Sequence, residues 1–270
     1  MHHYGHLPRI LTRRLIATGD DFGDTSGVNA AVLRAYGAGI LRFASLMVLR
    51  PAAAEAVRIA HDNPGLGVGL HLELCSDSPG KAGARYFFSA RARAGLDGEI
   101  RAQIEVLLKS GIKPTHIDGH INVHVHPVIF PVVCRLAREY GIPRVRLPAG
   151  EWEALKGFSG VGRPAAALLA GTFSALGAWV GAAAAGLDQP RSWGLLRSGL
   201  MNEDYVLWLI GRLPEGTTEM YFHPTTDTAL RASEAPTSSH QSTTELETLL
   251  SAKVRRALED HGVELVSRSS

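Results

Sequence analysis

The sequence predicts an α/β protein built around a mostly parallel sheet. Short apolar runs of strand length alternate with segments whose apolar residues recur at helical spacing, and Gly, Pro and Asn residues separate them. Serial strand–helix units of this kind place successive strands in parallel, either in a closed barrel or in an open, doubly wound sheet. A chain of 270 residues suits one barrel-sized domain over 1–270, with a tail at 1–14 and a helical insertion at 159–213.

The strand predictions rest on apolar runs that end at turn residues or at polar groups. In chain order, they cover residues 15–18, 43–49, 68–74, 115–118, 145–147, 218–222 and 263–266.

The helix predictions rest on apolar spacing together with start and stop signals. Thr25 or Ser26 caps the first helix, Pro51 opens the second, and Gly141 with Pro143 ends the fourth. In chain order, the predicted helices cover residues 26–36, 51–63, 99–110, 128–140, 204–212 and 243–259.

Two segments interrupt this alternation. Residues 75–98 are rich in Gly, Ser and Arg and predict a long loop, of the kind that forms a lid or a substrate wall. Residues 164–187 carry no charge and are long enough to span a bilayer. Most of them are Ala and Gly, which favour membrane insertion weakly, so a packed or interface-seeking helix pair is the preferred interpretation.

Composition limits the function classes. A formal net charge of +2 without a basic stripe argues against nucleic-acid binding. The first 14 residues are polar and basic, and the apolar run after them is too short for a signal-peptide core, so we expect a cytoplasmic protein. Cys75 and Cys134 lie outside any CxxC pattern and indicate free thiols in a reducing compartment.

Adjacent carboxylates, Asp20 and Asp21, follow the first predicted strand. Two such acids cannot both be buried and ionised without a partner, and a metal ion commonly holds them. A solvated turn or a helix cap is the alternative.

Further polar groups follow other predicted strands. They are His71, Asp118 with His120, and His223, and in parallel α/β folds the carboxyl ends of the strands carry the chemistry. The sequence therefore predicts that these groups converge on one mouth as a mononuclear metal site. His71 by itself also fits a hydrogen-bonded core residue. The i, i+4 spacing of His120 and His124 would put two imidazoles on one helix face, but Pro127 indicates that the helix starts later.

Several motifs together resemble the YdjC-like carbohydrate deacetylase family. They are TGDDFG at 18–23, GVGLHL at 67–72, PTHIDGH at 114–120 continuing to His126 and Pro127, RLP at 146–148 and EMYFHP at 219–224. ASLMV at 44–48 and LPEG at 213–216 resemble the branch of this family that is associated with hopanoid biosynthesis.

The resemblance implies a distorted, incomplete (β/α) barrel and a metal-dependent N-deacetylase. By the resemblance, Asp21, His71 and His120 hold one divalent metal and Asp20 is the proton acceptor. His223, on the far side, would protonate the leaving amine.

Other residues of these motifs receive less definite roles. Asp118 would orient a histidine, while His124 and His126 are further candidates for substrate contact or for support of the metal ligands. Arg146 fits either a substrate contact or an internal salt bridge. Zn²⁺ suits one carboxylate and two imidazoles, as do Fe²⁺, Co²⁺, Ni²⁺ and Mn²⁺, whereas Mg²⁺ seldom takes two imidazoles.

The expected partner is an acetylated amino sugar. The branch resemblance implies N-acetylglucosaminyl bacteriohopanetetrol, a lipid-linked substrate, with peripheral contact at the inner membrane surface. An apolar groove involving Phe173, Trp179 and Trp193 fits that expectation, and a plain helical insertion fits these residues equally well. A deacetylase of soluble chito-oligosaccharides and a non-catalytic sugar-binding protein are the rival functions, and a homo-oligomer remains open.

Overall fold

A computed structural model describes residues 12–74, 79–159, 163–228 and 241–268. Its strands are β1 (Arg13–Phe22), β2 (Phe43–Leu46), β3 (Gly67–Leu72), β4 (Ile117–Gly119), β5 (Arg191–Trp193), β6 (Gly216–Phe222) and β7 (Val263–Leu265). Its helices are α1 (Ser26–Ala38), α2 (Ala53–Asp62), α3 (Pro79–Phe88), α4 (Ala90–Lys109), α5 (Phe130–Glu139), α6 (Glu151–Leu155), α7 (Arg163–Val180), α8 (Glu203–Ile210), α9 (Thr243–Leu250) and α10 (Ala252–Asp260).

All the strands pair in parallel, in the order β4-β3-β2-β1-β6-β5, and the sheet curls into a half-barrel with flanking helices. Strand β1 is the centre of this sheet. It pairs with β6 along its length, while β7 pairs with its beginning and β2 with its end. Residues 15–22 are buried without interruption, as expected for a parallel strand covered on both faces. The distorted, incomplete (β/α) barrel is therefore confirmed.

The barrel is irregular between β4 and β5. The strand predicted at 145–147 is wrong, because Val145 makes only an isolated bridge to Ile117, and Ala149 makes one to Ser192. Strand β5, which the sequence did not predict, lies inside the range 159–213 that looked like a helical insertion. Residues 159–213 thus contain a strand of the sheet as well as helices.

The predicted loop at 75–98 is also wrong where it is described. Helix α3 occupies Pro79–Phe88, and α4 begins at Ala90 rather than at residue 99. Ser89 accepts a hydrogen bond from the backbone N–H of Ala92 and so caps α4. Tyr86 is fully buried, so this segment packs against the core instead of forming an open lid. Residues 75–78, including Cys75, lie outside the described residues.

Two other boundaries differ from the prediction. The single helix expected at 243–259 is divided at Ser251, whose hydroxyl accepts from the backbone N–H of Val254 and starts α10. Arg13 and Arg14 belong to β1 rather than to the tail expected at 1–14, and residues 1–11 lie outside the described residues. Cys134 is a buried free thiol.

Helix α7 carries an unusual surface for its place outside the barrel. With the turn that follows, it forms the one described stretch, Pro164–Ala184, that has the length and hydropathy of a membrane-crossing helix, and 11% of it is buried. A single helix of this kind is weak evidence for a membrane span. Leu168 and Trp179 are nevertheless 74% and 68% exposed, so α7 presents large apolar side chains at its surface.

Candidate active site

The acidic pair lies in a bulge at the end of β1. Three residue steps on β1, from Gly19 to Phe22, face two steps on β2, so one extra residue is accommodated there. Asp21 takes up the extra length with φ 61°, a left-handed conformation that is uncommon for a side chain other than glycine. Regular strand alternation would send Asp20 and Asp21 to opposite faces. With the bulge, both carboxylates come within 4.8 Å of His71.

The structure brings Asp21, His71 and His120 together. One oxygen, Asp21 Oδ1, lies 3.3 Å from His71 Nε2 and 3.2 Å from His120 Nδ1. The ligand-capable atoms of the three side chains all lie within 4.8 Å of one another. Asp21 and His71 are buried, and His120 is the most exposed of the three at 16%.

This group fits a divalent metal ion. Ligand atoms bound tetrahedrally at about 2.0–2.1 Å from Zn²⁺ lie about 3.4 Å apart, close to the separations of 3.2 and 3.3 Å seen here. Burial alone would raise the pKa of the Asp21 carboxyl, but hydrogen bonds from His120 and His71 hold that pKa well below its ordinary value. Asp21 is therefore a buried anion that needs a cation, either a proton on a neighbouring imidazole or a metal.

Asp118 fixes the orientation of His71. The two residues are register partners on β4 and β3, and His71 Nδ1 lies 2.7 Å from Asp118 Oδ1. Burial would lower the pKa of His71, but the charge and hydrogen bond of Asp118, with help from Asp21, raise it to about 10. Because Nδ1 donates to Asp118, Nε2 is left facing Asp21. This is the carboxylate–histidine arrangement that orients imidazole ligands in metal sites.

Asp20 forms a buried, bidentate ion pair with Arg146. The guanidinium Nη1 and Nη2 donate to the two carboxylate oxygens at 2.6 and 2.9 Å. Arg146 also contacts Asp118 at 2.8 Å and Glu219 at 3.1 Å, and it is 1% exposed. Burial raises the pKa of Asp20 and outweighs the attraction of Arg146, which acts to lower it. Of the two roles left open for Arg146, the structure shows the internal salt bridge.

His223 lies beside Asp20 rather than on the far side of the site. Strand β6 pairs with β1 so that Phe222 is opposite Gly19, which makes His223 and Asp20 the next neighbours. The distance from His223 Nε2 to Asp20 Oδ2 is 3.9 Å, and His223 Nδ1 lies 3.8 Å from Glu245. Burial would lower the pKa of His223, but the hydrogen bond that its ring donates to Glu245 and the charges of Asp21 and Asp20 raise it.

The two remaining candidate histidines are His124 and His126. They lie outside the triad of Asp21, His71 and His120. Ile121 and Asn122 have φ of 51° and 55°, so residues 120–125 form short 3-10 turns that are interrupted by a left-handed kink. The next α-helix starts at Phe130, after Pro127 as expected. His124 is fully buried, and its Nε2 lies 2.9 Å from the carbonyl oxygen of Arg146. Burial lowers the pKa of His124 to about 4, which suits a neutral ring that donates to this carbonyl. The left-handed turn separates His124 from His120.

His126 is half-buried and contacts aromatic rings instead of the triad. Its ring lies 4.2 Å from the Phe87 ring, centroid to centroid, and 6.3 Å from that of Tyr86. Its Nδ1 accepts a hydrogen bond from the backbone N–H of Val128. His126 therefore fixes helix α3 against the turn that carries His120.

Sequence reasoning missed the buried groups that hold the site in place. Glu219 accepts hydrogen bonds from Thr18, Ser192 and Arg146 inside the barrel. Its position as a charged residue in the predicted strand 218–222 was the sequence signal that could have identified Glu219. Glu245 accepts from the backbone N–H of His223. Glu245 stands three residues after Ser242, which is the pattern of a helix capping box. The sequence therefore suggested a capping role and gave no sign of the contact with His223.

Ser45 and His116 were missed as well. The Ser45 hydroxyl lies 3.2 Å from Asp20, 2.6 Å from Asp118 and 3.0 Å from His116 Nε2, so it joins the two acidic residues. Burial lowers the pKa of His116 to about 3, so its ring is neutral. A Cβ on Gly69 would lie 2.5 Å from the His116 ring, which explains why glycine stands there.

Several known proteins that are similar to this chain are named carbohydrate deacetylases. The one from Geobacillus stearothermophilus is 39% identical over 145 residues, which cover 49% of this chain and 59% of that protein. The one from Brevibacillus brevis is 38% identical over 149 residues, covering 50% of this chain and 59% of that protein. The matched stretch is thus less than two thirds of the length of these curated relatives.

One solved structure covers nearly the whole chain. It is an Enterococcus faecalis protein described as a candidate for cellobiose-phosphate cleavage, with a TM-score of 0.69, 22% identity and coverage of 94% of this chain and 97% of that one. At this identity the likeness shows the fold alone. The family described as YdjC-like protein matches residues 14–260, from β1 into α10, and includes every site residue discussed above. This chain therefore belongs to the YdjC-like protein family.

Proposed function

We propose that this protein is a metal-dependent carbohydrate deacetylase that removes the N-acetyl group from an N-acetylglucosamine unit. The observation that carries the proposal is the group of Asp21, His71 and His120 around one carboxylate oxygen. Asp20 and His223 lie directly beside it. One carboxylate and two imidazoles leave coordination positions open, which is typical of catalytic metals. The deacetylase relatives support a sugar amide as the substrate.

Asp21 Oδ1, His71 Nε2 and His120 Nδ1 are the atoms that would hold the metal. Mixed carboxylate and imidazole ligation favours Zn²⁺ over Mg²⁺. When bound, such an ion activates water and polarises the acetamide carbonyl.

The chain's own residues would handle the protons. Asp20, whose pKa is raised by burial, accepts the proton of the attacking water while Arg146 holds its carboxylate in place. His223, whose pKa is raised in spite of burial by its acidic neighbours, donates a proton to the leaving nitrogen. The C–N bond breaks, and acetate and a free amino sugar are the products. Glu245 favours the protonated form of His223 and holds the backbone of that residue in place.

The first experiment measures acetate release from an N-acetylglucosamine oligomer. The purified chain should be active with Zn²⁺, inactive after chelation and active again when metal is returned. Asp20→Asn should keep the metal and lose at least about 100-fold in kcat, the lower range for a lost proton acceptor. His71→Ala should lose both metal and activity. Full activity of Asp20→Asn would remove Asp20 from the role of base.

We further propose that the sugar is attached to a lipid, as in N-acetylglucosaminyl bacteriohopanetetrol. Support comes from α7, where Leu168 and Trp179 are exposed and Phe173 lines a small cleft with Trp152 against the barrel. Trp193 does not belong to this surface, because it is buried in the core. An amphiphilic substrate needs an apolar surface near the site, and α7 would supply it at the inner membrane surface.

The lipid-linked substrate is tested with a double variant, Leu168→Ser with Trp179→Ser. We expect a loss of activity on the lipid-linked acetamido sugar and unchanged activity on diacetylchitobiose. Leu33→Ser, which changes an exposed leucine on α1, is the matched control. Equal activity losses on both substrates, or none, would contradict the lipid-specific role and favour a deacetylase of soluble chito-oligosaccharides.

A further inference from the structure

A second cavity lies at the opposite end of the barrel from the metal-binding triad. The residues that begin the strands line it, among them Arg14 of β1, Phe43 of β2, Arg191 of β5 and Thr217 of β6. Its volume is about 1050 Å³, at the upper end of the range found for small-molecule sites. None of the residues assigned to the deacetylase site takes part in its lining.

The charges around this cavity are strongly one-sided. Asp188 is the single acidic residue in its described lining, against five cationic side chains. The cations are Arg14, Lys113, Arg144, Arg191 and Arg268. Four of them are exposed at the rim, and Arg144 is buried. Cations collected around a concave surface with low-dielectric walls concentrate anions there.

Arg144 is the unusual member of this set. Its side chain is 7% exposed, and its guanidinium lies over the ring of Phe43 at 5.1 Å from the centroid. Its Nε and Nη2 are buried and, within the described residues, have no hydrogen-bond partner. The nearby carboxylate of Glu219 is already bound by Arg146, Thr18 and Ser192. Burying a guanidinium without hydrogen-bonded partners is costly, which indicates that a ligand supplies them.

We propose that this cavity binds a small multivalent anion bearing phosphate or carboxylate groups, with Arg144 as its inner contact and the rim cations around it. A planar guanidinium matches two oxygens of either group. Polar residues at this end of a barrel ordinarily serve stability. The paired Arg146 fits that role, with three carboxylates bound to it. The charge of Arg144 is attracted by Glu219, Asp118 and Asp188, but its Nε and Nη2 have no hydrogen-bond partner among the described residues.

The test is calorimetric titration of the full chain with pyrophosphate, inorganic phosphate and citrate at constant ionic strength, with chloride as the reference. Metal is first removed with a chelator. The chelator is then removed by dialysis, because it is itself a polycarboxylate. We expect one site per chain, tighter binding of pyrophosphate than of phosphate, and weaker binding as salt rises. The ratio of phosphate to citrate affinity distinguishes the two ligand chemistries.

Variants locate the site. Arg144→Gln should weaken pyrophosphate binding by about tenfold or more, the value for a lost hydrogen-bonded charge. Arg191→Gln should weaken it severalfold, and because Arg191 is exposed this variant serves even if Arg144→Gln does not fold. Arg34→Gln removes an equal charge from the exposed face of α1 and should change nothing.

Absence of binding in the metal-free protein, or equal losses in Arg191→Gln and Arg34→Gln, would overturn the proposal. These outcomes are independent of the deacetylase proposal, which is judged by acetate release from metal-loaded protein. Binding that is present only with metal would place the anion at the triad and would also refute the second site.

Discussion

The substitution Asp118→Asn tests whether this carboxylate orients His71 as a ligand of the proposed metal ion. The carboxylate accepts from His71 Nδ1 at 2.7 Å and is also held by Ser45 at 2.6 Å and Arg146 at 2.8 Å. A neutral amide makes a hydrogen bond about half as strong and places an NH₂ group toward one of these donors. Loss of such a partner typically weakens metal binding by about 10- to 100-fold, or about 1.4–2.7 kcal/mol.

The assay is competition for Zn²⁺ against a chromophoric chelator, with a thermal melt to show that the variant is folded. Asp97→Asn is the matched control, because it removes a surface carboxylate that pairs with Arg101 and Arg135 on the helices outside the barrel. We expect the Asp97→Asn variant to bind Zn²⁺ as tightly as the unchanged protein does. A folded Asp118→Asn variant with unchanged Zn²⁺ affinity would refute the role of this carboxylate in orienting His71.

Three further predictions concern the supporting residues. Arg146→Met leaves three buried carboxylates without their cation and should lower the free energy of unfolding by about 3–5 kcal/mol in urea titrations. Glu245→Gln removes a group that raises the pKa of His223. Because His223 must be protonated to act as an acid, activity is lost as pH rises through this pKa, so the alkaline limb of the rate profile should move to lower pH. Gly69→Ala places a Cβ 2.5 Å from the His116 ring and should cost about 1–3 kcal/mol of stability.

Each of these variants has a counterpart elsewhere in the chain. Arg135→Met removes a half-exposed arginine and should cost less than about 1 kcal/mol. Glu247→Gln changes an exposed glutamate on α9 and should leave the pH profile in place. Gly95→Ala adds a Cβ with no atom within 4 Å and lies inside α4, so it should stabilise by about 0.5–1 kcal/mol. If the Arg146, Glu245 and Gly69 variants behaved like these controls, the roles assigned to the three residues would be contradicted.

Local patterns were a good guide where one segment decides its own structure. The alternation of apolar runs and helical spacing located β1, β2, β3, β6 and β7 to within a few residues. They failed at 75–98, where Gly, Ser and Arg suggested a loop. There, burial of Tyr86 between α3 and the core outweighs the weak helix propensity of the segment.

The partners of the site residues could not be predicted either, because these contacts also join segments that are distant in the chain. Glu245 stands in the first turn of α9 in a capping pattern, and only the packing of that helix beside β6 shows that it meets His223. The isolated bridges that replace a strand at 145–147 depend on β4 and β5, which are far away in the chain.

The sequence by itself determined that acids and histidines follow several parallel strands, and therefore that they would gather at one end of the fold. It did so because strand and helix periodicities are local properties. Only the tertiary structure decided which atoms meet. The bulge directs Asp21 toward His71 and His120, and the register of β6 places His223 beside Asp20. The left-handed turn at Ile121 and Asn122 separates His124 from the site. Strand register and bulge position minimise the free energy of contacts between distant segments, and no local pattern contains that information.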